Sequence, residues 1–268
     1  MTDPILLRDD QGHISILTLN RPTALNALSD AMMAALLAEL HRLAATPAIR
    51  VIILRGAGKA FCAGHDLREM QAARSPGGQP APDHGRGYFA DLFARCATLM
   101  LAIRAQPQPV IAQVHGIATA AGCQLVATCD LALAATGTRF GVNGVNIGLF
   151  CSTPMVALSR NVPRKLAFEM LTTGQFIDTD RAQAMGLINR AVRQDDLAAE
   201  TMALARSIAD KLGAVVKIGK RAFYDQIELP IEQAYDHSAA IMVENMLWRD
   251  TEEGIAAFLE KRAPNWPE

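Results

Sequence analysis

Apolar positions in this chain follow two different periods, and the switches between them mark out its elements. Across residues 13–20, Ile14, Ile16 and Thr18 alternate with Ser15, Leu17 and Leu19, and Arg21-Pro22 ends the run, which predicts a strand. Ser29 then stands where it would cap a helix whose broad apolar face carries Met32, Met33, Leu36, Leu37, Leu40 and Leu43. The segment 50–54 reads as a strand, its continuous apolar run beginning at Val51 and closed by Arg55-Gly56, the pattern of a strand buried on both faces. The helical period returns over residues 88–103 through Leu92, Phe93, Cys96, Leu99, Met100 and Ile103. Residues 109–114 and 131–135 read as two further strands. Strands separated by helical segments predict an α/β core with mostly parallel connections.

Between these elements, residues 75–87 (SPGGQPAPDHGRG) are rich in Pro and Gly and read as a mobile surface loop. Beyond Thr179 the strand period nearly vanishes. Helical patterns cover residues 179–185, 197–211, 215–226, 231–248 and 252–261, punctuated by Gly186, Gly213 and Pro230. The expected organisation is a core over residues 1–195 and a helical section over residues 196–268, packed on that core or on a neighbouring subunit.

Composition narrows the function classes. Half of the 268 residues are hydrophobic, and 26 Lys+Arg against 27 Asp+Glu leave a net charge of −1. A nucleic-acid partner or an anionic membrane would call for a basic field, so neither is expected. Five cysteines, an odd number without a C-x-x-C pair, suggest reduced thiols. The N-terminal MTDPILLRDD lacks the form of a signal peptide, and Glu39 and Arg104 interrupt the two most apolar stretches. A cytoplasmic protein is expected, or a mitochondrial-matrix one for a eukaryotic mature form.

Several familiar chemistries find no support. There is no G-x-S-x-G elbow, Walker lysine loop or G-x-G-x-x-G fingerprint, and the six histidines show no metal-ligand spacing. What stands out instead is a pair of turns built of small residues. Lys59-Ala60-Phe61-Cys62-Ala63-Gly64-His65-Asp66-Leu67 follows one predicted strand, and residues 115–125 (HGIATAAGCQL) follow the next. Side by side, two such turns would aim free N–H groups at one point, as a thioester oxygen becoming an enolate requires.

These turns carry a resemblance. Together with Leu19-Asn20-Arg21-Pro22, Ala24-Leu25-Asn26-Ala27-Leu28, Cys129-Asp130, Phe140-Gly141, Leu171-Thr172-Thr173-Gly174, residues 182–187 and residues 256–262, they make the chain similar to the enoyl-CoA hydratase/isomerase (crotonase) family over nearly its whole length. The resemblance implies an α/β fold: a crotonase-like spiral of repeated β-β-α units, then C-terminal helices that make a homotrimer or a dimer of trimers. It implies oxyanion donors at the backbone N–H groups of His65 and Ala121. It places coenzyme A, arriving as part of an acyl-CoA thioester and with no tightly bound cofactor or metal, near Ala24, Leu25 and Gly64. Arg68 and Lys261, with Phe258 beside the latter, match the family's nucleotide-binding positions, while Thr23 stands where many members have lysine. Arg68 reads equally well as a solvated helix residue.

The chain also departs from the family. Hydratases use two glutamates, and the matching positions here are Gln124 and Gly144. An amide orients water but takes up no proton at neutral pH. Cys151 and Ser152 lie where some relatives carry an extra acidic group. Cys151 reads first as a small buried residue, and Ser152 and Thr153 as caps of a helix starting near Pro154. Asp66 reads as a helix cap. His65 is expected to serve through its backbone, with a catalytic imidazole as the minority reading. The residues 120–124 and 141–154 together resemble one subgroup of the family, whose members are generally labelled hydratases by homology. The implied activity is that of a hydratase-like lyase of fatty-acid or related acyl-CoA metabolism. The alternatives are a non-catalytic acyl-CoA binder, or a thioester hydrolase or decarboxylase using Cys151 or Ser152.

Overall fold

The computed structural model of the protein describes residues 3–266. Its strands are β1 (Leu6–Gln11), β2 (Ile14–Leu19), β3 (Val51–Gly56), β4 (Val110–Val114), β5 (Ile117–Thr119), β6 (Leu131–Ala135), β7 (Arg139–Gly141) and β8 (Arg190–Val192). Its helices are α1 (Asp30–Ala44), α2 (Leu67–Arg74), α3 (Arg86–Ala105), α4 (Ala121–Thr128), α5 (Pro154–Asn161) and α6 (Arg164–Thr173). Five more follow in the last third: α7 (Thr179–Ala184), α8 (Leu197–Ala209), α9 (Gly213–Gln226), α10 (Ile231–Met246) and α11 (Arg249–Leu259).

One sheet runs β1-β2-β3-β4-β6-β8, antiparallel at the β1–β2 hairpin and parallel elsewhere. β5 and β7 pair in a second, smaller sheet. Single bridges Leu28–His65, Cys62–Ala118 and Phe140–Ile177 widen this second layer. Passes of the chain thus leave a strand in the large sheet, a short piece in the second layer, and then a helix. This is the expected spiral of β-β-α units.

The sequence patterns explain why the large sheet is buried on both faces. In β3, Ile52 and Leu54 point into a cluster with Met32, Leu36, Leu40 and Leu99, while Val51 and Ile53 join Leu197, Ala205 and Ala209 of α8. Burying each such aliphatic side chain stabilises the fold by roughly 1.5–3 kcal/mol. The N-terminus of α1 is capped as expected, since Ser29 Oγ accepts from Met32 N–H at 3.2 Å. Such a cap contributes about 1 kcal/mol.

Some elements differ from the sequence reading. β1 is an exposed edge strand of sequence LLRDDQ, with no alternation to betray it. β5, β7 and β8 have three residues each, too few to show a period. The 75–87 segment lies at the surface but carries its own turns. Asp83 accepts from the N–H groups of Gly85 and Gly87 at 2.9 Å, and α3 begins at Arg86. The cap expected before α5 is absent: Thr153 makes no side-chain capping bond, and Ser152 Oγ instead reaches Phe150 O at 3.4 Å. Among the described residues, no helix is long and apolar enough to cross a membrane.

Candidate active site

The two small-residue turns meet. Cys62 N–H donates to Ile117 O at 3.2 Å and Thr119 N–H to Cys62 O at 3.1 Å, so the first turn is zipped to β5 by its own backbone. The first turn is also tied to the Ala24-Leu25 bend, where Ala63 N–H donates to Leu25 O at 3.0 Å. Asn26, fully buried, braces it from below, its amide donating to Ala57 O at 2.8 Å and Ala60 O at 2.7 Å. Gly64, at φ +92°, lies against the second turn so closely that a Cβ added to it would meet Ala120 Cβ at 2.9 Å and Ala121 N at 3.3 Å.

Among the described residues, neither His65 N–H nor Ala121 N–H has a hydrogen-bond acceptor. Ala121 is the first residue of α4, where the leading N–H groups have no partner within the helix. The residue before it, Ala120, holds φ 49° and ψ −120°, a conformation normally left to glycine, and its own N–H donates to Gly141 O at 2.9 Å. Two free donors set by a strained, cross-linked backbone fit an oxyanion site. Ala120 was not legible as a site residue, because alanine gives no sign of a left-handed φ.

Gln124 projects from α4 at 5% exposure, and its amide oxygen lies 3.9 Å from the Cys96 thiol of α3. The imidazole of His65 packs edge-on to Phe93, one turn before Cys96, with ring centroids 5.8 Å apart. His65 through Phe93, and Gln124 through Cys96, thus both meet the same face of α3.

Gly144, the position matching the second glutamate, has no room for a side chain. Its N–H points to Cys151 Sγ at 3.4 Å, and a Cβ there would meet Leu149 O at 2.3 Å and that sulfur at 2.9 Å. The backbone of residue 149 and the Cys151 sulfur fill the position. A Gly144→Glu replacement is therefore expected to cost about 1–3 kcal/mol in denaturant unfolding through overpacking, and to add no hydration activity.

The alternative nucleophiles fare poorly. Cys151 is buried, as read from sequence, and burial pushes its thiol pKa up against the small opposing effect of Gly144 N–H. Ser152 is exposed, and its hydroxyl reaches only the Phe150 carbonyl. Asp66 caps α2 through Arg68 N–H at 3.0 Å and pairs with Arg21 at 2.9 Å. Burial alone would raise its carboxyl pKa, but Arg21 and the N–H groups of Arg68 and Glu69 hold it below the usual range. Arg68 itself is exposed and has no ion-pair partner among the described residues. Phe258 and Lys261 lie at the end of α11, where Phe258 is 82% exposed, and one chain does not pack them against its own turns.

Comparisons with known proteins agree with this architecture. The profile of the family described as Enoyl-CoA hydratase/isomerase matches residues 9–268. The mitochondrial enoyl-CoA hydratase domain-containing protein 3 of Mus musculus is 43% identical over 256 residues, covering 96% of this chain and 82% of the relative. The crystal structure of an enoyl-CoA hydratase from Mycobacterium smegmatis is similar with a TM-score of 0.92 and 53% identity, over 98% of this chain and 99% of that one. Human enoyl Coenzyme A hydratase domain-containing protein 3 is similar with a TM-score of 0.92 and 42% identity, over 98% and 100%. The motifs, the β-β-α spiral and these likenesses along nearly the whole length agree: the chain belongs to the enoyl-CoA hydratase/isomerase family.

Proposed function

We propose that the protein binds an acyl- or enoyl-CoA thioester and stabilises its enolate between His65 N–H and Ala121 N–H, acting as a hydratase-like lyase. The observation that carries this reading is the pair of unpartnered donors held side by side by the Gly64 contact. Coenzyme A enters as part of the substrate, and no separate cofactor is needed for enolate formation. The nucleotide lies along the Ala24-Leu25 bend and the Gly64-His65 turn, with Arg68 free to meet a phosphate. Self-assembly suits the C-terminal helices, where Ile231, Tyr235, Met242 and Leu247 of α10 and its end stand exposed. Lys261 and Phe258 then reach a thioester bound by a neighbouring copy.

The reading is tested by mass spectrometry of crotonyl-CoA incubated with purified protein in D₂O. A hydrated, deuterated product is expected. Unchanged crotonyl-CoA, with binding confirmed by calorimetry, would favour a second reading, an acyl-CoA binding protein, which the amide at Gln124 and the closed position at Gly144 support. Gain of function is expected from one side only. Gln124→Glu places a carboxyl beside the donors and should raise hydration by about 10²-fold or more, the usual range for a positioned acid–base group. Adding Gly144→Glu should lower stability by about 1–3 kcal/mol and bring no further gain in hydration.

A further inference from the structure

Gln124 and Gly144 stand where the family's two glutamates would be, yet a titratable side chain belongs to His65, the residue carrying one of the two donors. Both ring nitrogens of His65 are shut off from solvent and make no hydrogen bond. A buried imidazole without a partner is uncommon and calls for an explanation. The Leu28 carbonyl, which accepts from Asp66 N–H at 3.3 Å, lies near enough to favour the protonated ring without making a hydrogen bond to it. The other neighbours are the Phe93 ring and, further off, the charges of Asp30 and Arg95, which pair with each other at 3.0 Å. Burial keeps the ring in its neutral form, with Arg95 in the same sense and the Leu28 carbonyl and Asp30 opposing. A neutral imidazole has one lone pair able to take a proton.

The position of this ring matters as much as its state. Its Cβ is attached to the same Cα as the nitrogen that would hold the thioester oxygen. The carbon next to the thioester carbonyl, C2, is bonded directly to the carbon bearing that oxygen. The side chain of His65 therefore starts two bonds from the donor nitrogen, as C2 lies two bonds from the oxygen that nitrogen would hold, and the ring must turn away from Phe93 to reach the C2 proton. Gln124, which meets the same face of α3 through Cys96, has no acid–base capacity to compete.

We propose that the His65 imidazole is the proton carrier of this site, exchanging the C2 proton of a bound acyl-CoA. The ring nitrogen takes the proton from C2, and the electrons of the C2–H bond form the C1–C2 double bond of the enolate. The thioester oxygen carries the negative charge, held by His65 N–H and Ala121 N–H. With the ring turned away from Phe93, the imidazolium gives that proton up to solvent, takes a solvent proton in its place and returns it to C2, and nothing is oxidised or reduced. Residue 65 thus acts twice, through its backbone on the oxygen and through its side chain on the adjacent carbon. This inference rests on the thioester-site reading above.

The test uses butyryl-CoA, which is saturated and cannot be hydrated, with the full chain in D₂O. Wild-type protein should introduce deuterium at C2, seen by mass spectrometry. His65→Gln, which keeps the backbone donor, should slow exchange by about 100-fold or more while leaving butyryl-CoA affinity within a few-fold. Added imidazole should restore exchange to His65→Ala, a rescue that a purely structural role would not give. In wild-type protein, the ring resonances of His65 should shift on adding butyryl-CoA, a readout that needs no variant to fold. Binding without exchange, exchange by folded His65→Gln at the wild-type rate, or unmoved ring resonances would overturn the proposal. Failure of butyryl-CoA to bind would instead overturn the thioester site beneath it.

Discussion

Alanine at position 64 is expected to lower thioester turnover by about 10²–10³-fold, the loss associated with one misplaced oxyanion donor. The added methyl would meet Ala120 Cβ at 2.9 Å, Thr119 O at 3.1 Å and Ala121 N at 3.3 Å. These are backbone atoms and a Cβ, with no flexible side-chain end to swing aside. The two turns must part by some tenths of an ångström, and they part where both donors sit. The φ of +92° adds strain for any side chain. Circular dichroism should show the fold retained, and calorimetry should show coenzyme A binding changed far less than kcat. A folded Gly64→Ala protein with wild-type kcat would remove the donors from the mechanism.

The second large effect concerns stability. Lys220 of α9 donates to Asp130 Oδ2 at 2.7 Å and to the carbonyls of Ile103 and Gln108, each at 3.1 Å. Asp130 also accepts from Tyr224 Oη at 2.8 Å and from Val110 N–H at 2.6 Å. The two charged side chains are only 7% and 13% exposed. Burial lowers the pKa of Lys220, and Asp130 only partly offsets this. Asp130→Ala would leave the ammonium buried without its counter-charge, at an expected cost of about 3–5 kcal/mol. That is a large part of the 5–15 kcal/mol that typically separates folded from unfolded protein. Urea unfolding measures it directly, and a change below about 1 kcal/mol would show that the pair does not clamp α9 to the end of β4.

How far the sequence carries the reading depends on the kind of interaction. α1 was legible because Ser29 and the spacing of Met32, Leu36, Leu40 and Leu43 are local signals. β3 was legible because an apolar run between polar ends has few other uses in a short segment. The edge strand β1 was not, since its partner β2 supplies the pairing and its own side chains face water. At the site, the small residues around Gly64 and Ala121 announced close backbone approach. The strain at Ala120 and the closure over Gly144 did not show, because Gly141 and Leu149 enforce them from elsewhere in the fold. Cys96 was read only as a core position, and its contact with Gln124 depends on how α3 lies across α4.

The zipper of backbone bonds between residue 62 and residues 117–119 has a consequence for redesign. Both proposed oxyanion donors are main-chain groups, held mainly by other main-chain groups, so no side chain at 65 or 124 is needed to keep them in register. The scaffold and the reactive side chains are separable parts. Substituting at those two positions should alter which proton moves, and where, without dismantling the device that holds the charge. On the proposed thioester reading, new chemistries on this chain should be reachable by side-chain exchange at these positions.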